Sequence, residues 1–199
     1  MTHGKDNISP TILWRRLDAP GHDACRLMDL GDAWRIEGAA VFRQEAGATA
    51  LAYEVDCDRD WRTREGRLNG WAGSRRVDIR ITRSSNGLWT LNSQVVPGIQ
   101  ECVDLDLGFT PATNLSQLRR IAFQVGQSAD VPVAWLDAPF GSLELLRQRY
   151  EHRRPGAYWY TAPRFGYAAM LEVSPSGFVQ LYPSLWEAEI QQTGVDDAR

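Results

Sequence analysis

The sequence predicts a mainly β protein: an antiparallel sheet built around one central α-helix. Three observations predict it. Turn signals recur at intervals of roughly ten residues, the spacing of all-β chains. Only one stretch, residues 101–125 (ECVDLDLGFTPATNLSQLRRIAFQV), reads convincingly as helix. Strand-like runs lie on both sides of it, and no alternating strand–helix units occur, so sequential strands joined by short turns should pair antiparallel.

The central stretch opens as a strand, with Val103, Leu105 and Leu107 on one face and Cys102, Asp104 and Asp106 on the other. Gly108 ends it. Thr110-Pro111 reads as a hydroxyl N-cap followed by proline in the first helical position. Leu115, Leu118 and Ala122 make one apolar stripe, and period two resumes at Ile121, Phe123 and Val125. A helix of about two to three turns beginning near Thr110 or Pro111 follows from this pattern.

The other elements follow in order. Residues 1–9 read as a disordered tail. Strand runs follow at 11–18, 25–30, 34–43, 50–58, 62–70 and 75–83, separated by Pro20-Gly21 and Ala46-Gly47 turns among others. Asn86-Gly87 is a hairpin signal leading into 88–91, and Pro97-Gly98 closes that unit. After the helix come 131–137, 142–152, 157–161, 167–173 and 178–182. The polar segment 191–199 reads as a frayed tail. The body, 10–190, shows no linker and no clear internal repeat, so a single domain is expected.

Composition excludes several classes. A formal net charge of −3, with Lys5 the only lysine, gives no electrostatic footprint for nucleic acid. The N-terminus lacks a signal-peptide pattern, and no run approaches the ~20 apolar residues of a membrane helix. Cys25, Cys57 and Cys102 form neither a disulfide framework nor a zinc site. These features point to a reducing cytoplasm. Nothing calls for a cofactor or a metal.

Two carboxylate pairs stand out. Asp56 and Asp58 share a strand face and are followed by Trp61, Arg62 and Arg64; Asp104 and Asp106 repeat the pattern. Carboxylates at i and i+2 could ligate a metal or act as acid and base, but no histidine lies near them in the chain. The structural reading is an arginine–carboxylate layer, with Arg76 and Arg80 meeting Asp104 and Asp106. No GxSxG elbow or marked nucleophile appears, so no catalytic residue is assigned. Cys57 reads as a buried small hydrophobe. Cys102, on an acidic strand face, should have a raised thiol pKa. Among eight tryptophans, Trp71 and Trp186 fall near turns. Tyr158, Trp159 and Tyr160 occupy both faces of one strand, so one face should meet solvent, a ligand or a second subunit.

The blocks LWRRLDAPGHDACRL, DCDRDWRTR, CVDLDLGFTPATNLSQLRR, RQRYE and YPSLWE resemble, in that order, the putative glycolipid-binding family, formerly a domain of unknown function. The resemblance spans about residues 13–187. It implies a spiral β-roll, a long antiparallel sheet wrapped around a single helix, and a homodimer, for which residues 157–161 are the expected contact. It carries no catalytic residue. The function it implies is non-catalytic binding of a glycolipid or other amphipathic small molecule. An acyl chain would then lie against Val77, Ile79, Ile81, Val103, Leu105 and Leu107, and Trp61, Arg62, Arg64, Trp71, Tyr158 and Tyr160 would hold the head group. The alternatives are a carboxylate-dependent enzyme using Asp56, Asp58, Asp104 and Asp106, and a dimeric structural or interaction protein without a small ligand.

Overall fold

The computed structural model describes residues 9–189. The expected tails lie outside the described residues, except Ser9. The chain first meanders through β1 (Thr11–Arg16), β2 (Gly21–Asp29), β3 (Trp34–Gln44), β4 (Gly47–Cys57), β5 (Thr63–Ala72), β6 (Arg75–Arg83), β7 (Trp89–Leu91) and β8 (Gln94–Val96). It then forms β9 (Asp104–Leu107), the helix α1 (Asn114–Ile121) and β10 (Ser128–Leu136). A second meander returns through β11 (Glu144–Arg154), β12 (Ala157–Ala162), β13 (Tyr167–Val173), β14 (Val179–Tyr182) and β15 (Trp186–Ala188). The 3₁₀ turn Pro163–Phe165 joins β12 to β13.

All fifteen described strands belong to one sheet. β1 and β15 pair antiparallel at its centre, Trp14 opposite Ala188, so β8 and β9 are the two edges. The sheet is curled and does not close into a barrel. The curl brings edge strand β9 across the start of β5, where the Leu105 N–H donates to Thr63 Oγ1 at 2.9 Å and the Thr63 N–H to the Val103 carbonyl at 3.2 Å. Gly66 permits this approach, because a Cβ there would lie 2.4 Å from Leu105 Cδ2.

The structure departs from the sequence-based expectations in three places. First, α1 starts at Asn114, not near Thr110 or Pro111. The Thr110 hydroxyl bonds to buried Asp23, and the ring of Phe109 is held among Phe42, Tyr53 and Phe140. These contacts fix the segment as a loop, and the helix waits for Thr113 as its N-cap. Second, period two does not resume at Ile121. Ile121 is the last helical residue, Ala122 takes a left-handed conformation with its N–H on the Leu118 carbonyl, and β10 begins only at Ser128. Third, β9 and β10 pair parallel, because a helix crossover, unlike a tight turn, returns the chain in the same direction. The three-residue strands β8 and β15 were too short to leave a periodic signal.

Two apolar clusters hold the roll together. The larger joins Trp14, Ile36, Val55, Leu68 and Ile81 of the first meander to Leu105, Leu107 and Leu115. The smaller joins Leu118 to Val131, Val133, Leu146, Tyr150, Leu171 and Val179. The helix therefore sits between the clusters instead of presenting one stripe, and Ala122, expected in that stripe, is exposed. The proposed acyl-chain wall fails for the same reason. Val77, Ile79, Ile81, Leu105 and Leu107 are core residues packed with Leu115 and line neither cavity described below.

Candidate functional site

Beside Leu118, the helix face toward the second meander carries two polar residues although buried: Asn114 and Gln117 are both inaccessible. Buried polar groups must be hydrogen-bonded, and most of these are. Asn114 Nδ2 donates to the Tyr150 hydroxyl at 2.6 Å, and that hydroxyl donates to Gln117 Oε1 at 2.8 Å. Gln148 Nε2 donates to Gln117 Oε1 and to Asp106 Oδ2, at 2.8 and 3.2 Å, while its Oε1 accepts from the Tyr160 hydroxyl. Thr113 Oγ1 donates to Asp106 Oδ1 at 3.2 Å. Gln117 Nε2 is buried without a partner among the described residues. Burial raises the Asp106 carboxyl to about 6, against the opposing pull of its amide and hydroxyl donors; Asp137 adds to the rise.

Three members of this network, Asp106, Asn114 and Tyr160, line a cavity of about 300 Å³. The cavity opens where β9 and β10 end and the chain turns into α1. In parallel strand–helix–strand units this is the usual place for a ligand. Asp106, Gly108, Thr110 and Asn114 come from the β9–α1 side, Trp135 and Asp137 from the end of β10, and Arg16 and Asp18 from the end of β1. Tyr160, Phe165, Tyr167, Tyr182 and Trp186 complete the wall. Arg16 grips Asp18 through Nε and Nη2 at 2.7 and 2.9 Å. Asp137 Oδ1 accepts the Ala138 N–H at 2.7 Å, and its pKa is raised, chiefly by burial. Gly108 leaves the cavity its width: a Cβ there would lie 2.6 Å from Trp135 Nε1 and 2.8 Å from Asp137 Oδ2. The lining carries an exposed apolar group, since Phe165 is 52% accessible.

A larger, open hollow of about 1120 Å³ crosses the outward face of the sheet over Ala24, Ala39 and Ala52. Its Arg26 and Glu37 are paired at 2.9 Å, and the hydroxyl of Tyr53, a buried residue in its lining, is bonded to Asp23. We place the site in the smaller cavity, where aromatic faces and convergent polar groups coincide.

The site residues expected from sequence are largely dispersed. Trp61 stacks on Trp34 with centroids 4.7 Å apart, in the loop between β4 and β5 at the opposite end of the strands. Arg62 and Arg64 are exposed beside it, whereas Trp71 lies at the far end of β5 on the outward face. Tyr158 stacks on His152 at 4.4 Å. Of the six, only Tyr160 lines the cavity. Three consecutive aromatics do straddle β12, but Trp159 lies half-buried between Glu151 and Met170 on the neighbouring strands.

The expected carboxylate layer is only partly an arginine layer. Asp56 is held by Arg35 at 2.6 and 2.8 Å, and Asp104 by Arg120 at 2.7 Å. Asp58 instead caps its own turn, accepting the N–H groups of Asp60 and Arg62. Asp106 relies on hydroxyl and amide donors. Neither Arg76 nor Arg80 reaches β9; they stand on the outward face, near Asp78 and Glu65 respectively. Among the described residues no three His, Cys, Asp or Glu side chains form a metal-ligand set. Cys102 is fully buried, and its thiol is pushed up to about 12, more by that burial than by neighbouring charge.

One signal was missed. Leu-Asp-Ala-Pro occurs twice, at residues 17–20 and 136–139, and the aspartates of both copies, Asp18 and Asp137, line the cavity.

Fold and site together define a curled antiparallel β-roll around one helix, with an aromatic, carboxylate-bearing cavity at one end. The chain belongs to the family described as Putative glycolipid-binding, whose model matches residues 11–188. It is similar to a DUF1089 family protein from Pseudomonas aeruginosa, known from a crystal structure at 1.80 Å resolution. The TM-score is 0.74 and the identity 24%, over 94% of this chain and 97% of that one. No curated protein matches the sequence. None of the described helices is long and apolar enough to cross a membrane.

Proposed function

We propose that the protein binds the sugar head group of an amphipathic small molecule in the cavity at the ends of β9 and β10, without transforming it. One observation carries this reading: aromatic rings and convergent carboxylate, amide and hydroxyl groups share one small cavity. Rings supply faces for the apolar side of a sugar, and the polar groups fix its hydroxyls. The helix and both clusters fill the roll interior, so the acyl chain lies outside, across the apolar mouth formed by Phe165 and Leu185. The family description supports glycolipid binding in general terms.

An alkyl glycoside should bind saturably by calorimetry and more tightly than the corresponding methyl glycoside. Gly108→Ala should abolish both events while leaving the circular dichroism spectrum unchanged. Binding that is indifferent to Gly108→Ala would remove the cavity from the account.

One observation favours a second reading, acid–base chemistry on the bound sugar: Asp106 and Asp137 face open space without an arginine gripping either. Free sugar released on prolonged incubation with a glycoside would establish it. Two further parts of the proposal are a homodimer and a cytoplasmic location. Exposed Leu13, Val41 and Trp71 on the outward face support pairing of two copies better than β12 does. The free, buried Cys25, Cys57 and Cys102 are compatible with a reducing compartment.

A further inference from the structure

We propose that the head group taken by this cavity carries an ammonium, as an amino sugar does, and that Asp106 and Asp137 receive it; the inference rests on the sugar-binding reading above. Charge accounting inside the cavity leads to it. Among the described residues lining the cavity, three carboxylates, of Asp18, Asp106 and Asp137, face a single cation, Arg16. That cation is already committed in a two-pronged pair with Asp18. Asp106 and Asp137 are left with neutral donors only: Thr113 and Gln148 for the first, the Ala138 N–H for the second.

Asp106 stands on β9, and Asp137 directly follows the last residue of the adjacent parallel strand β10. Asp106 is in register with Trp135, so Asp137, two residues further along, shares its face. An ammonium between them would make charge-assisted hydrogen bonds to both, and the surrounding rings would add cation–π attraction. A phosphate, sulfate or uronate would meet two carboxylates and no free cation. Arg164, outside the lining, lies 5.0 Å from the Trp135 ring and is paired with Glu144 at 2.7 Å.

The same geometry gives the ligand a pH signature. Among the described residues, the groups around Asp106 are Asp137 just after β10, Tyr150, Tyr160 and Tyr182 from the second meander, the Asp104–Arg120 pair beside α1, and the Arg16–Asp18 pair at the end of β1. The tyrosines are all raised by burial and stay neutral. The carboxyl of Asp106, raised to about 6, therefore gains a proton between pH 7.5 and 5, and burial moves Asp137 in the same direction, so ammonium binding should weaken over that range.

Calorimetric titration of the whole protein with glucosamine, glucose, glucose 6-phosphate and cyclohexylamine tests this. Glucosamine should bind at least tenfold more tightly than glucose at pH 7.5, lose most of that advantage at pH 5, and fall to the level of glucose in Asp137→Asn. Glucose 6-phosphate should not bind. Equal affinity for glucosamine and glucose overturns the ammonium inference and leaves sugar binding standing. Cyclohexylamine binding without any sugar binding does the reverse. Silence toward all four probes overturns both.

Discussion

Arg120→Met should lower the melting temperature by roughly 6–12 °C near pH 7.5, at about 2–4 °C per kcal/mol for a domain of this size. Arg120 reaches from the last turn of α1 to Asp104, with Nε 3.1 Å from both carboxylate oxygens and Nη2 at 2.7 Å. Asp104 is wholly buried. Removing one partner of a buried ion pair costs about 3–5 kcal/mol, because the other charge is stranded. The lower part of that range applies, since burial already raises the Asp104 pKa despite Arg120, and proton uptake offers an escape. The deficit should therefore shrink toward pH 5. Asp104→Asn combined with Arg120→Met should recover most of it. A double variant no more stable than Arg120→Met would mean that the loss comes from the packing of the arginine stem, not from the stranded carboxylate.

The protein should also become more stable on acidification from pH 7.5 to about pH 5. Asp23 and Asp106 both rise from 3.8 to about 6, burial being the main cause. The folded state then binds more protons than the unfolded state between those values. The associated stability is complete below about pH 4 and is lost as pH rises through 6. For each group it is on the order of 3 kcal/mol. Asp29, Glu65 and Glu144 are shifted downward by their partners and act in the opposite sense, but only as pH approaches 4 and below. The melting temperature should therefore pass through a maximum near pH 5. Asp23→Asn, which keeps an acceptor for the Tyr53 and Thr110 hydroxyls, should flatten much of the rise. A curve that falls steadily from pH 7.5 to 5 would show that these carboxyls stay ionised.

Much of the fold was legible because burial imposes period two wherever one sheet face is solvated. Residues 75–83 and 167–173 were read with the boundaries of β6 and β13. The single helix and the curled sheet follow from period and from family resemblance respectively. The boundaries of α1 were not legible, because Thr110 looks like a cap and is instead held by Asp23, 87 residues away. The pairing of β9 with β10 was hidden for a similar reason: it depends on where the crossover lands.

The site was less legible than the fold. Asp56 with Trp61 and Arg62 formed the most conspicuous cluster along the chain, yet proximity in sequence gathered them at a turn. The cavity assembles from β1, β9, β10 and the second meander, with Arg16 and Asp137 more than half the chain apart. Asp106 was singled out as a feature but given an arginine partner it lacks. Its true partners, Thr113 and Gln148, were invisible because a polar residue on a buried helix face or sheet face looks like any solvated one. The repeated Leu-Asp-Ala-Pro was the one local clue, and its meaning depends on Asp18 and Asp137 meeting at the same mouth.

The central claim is the location of the ligand, and a crystal structure of the protein with an alkyl aminoglycoside bound tests it most directly. The account predicts the sugar between Trp135 and Tyr167, its ammonium within hydrogen-bonding distance of Asp106 and Asp137, and the alkyl chain crossing Phe165 and Leu185 toward solvent. A ligand lying in the outward hollow over Ala24, Ala39 and Ala52, or threaded beside Leu115 inside the roll, would contradict it.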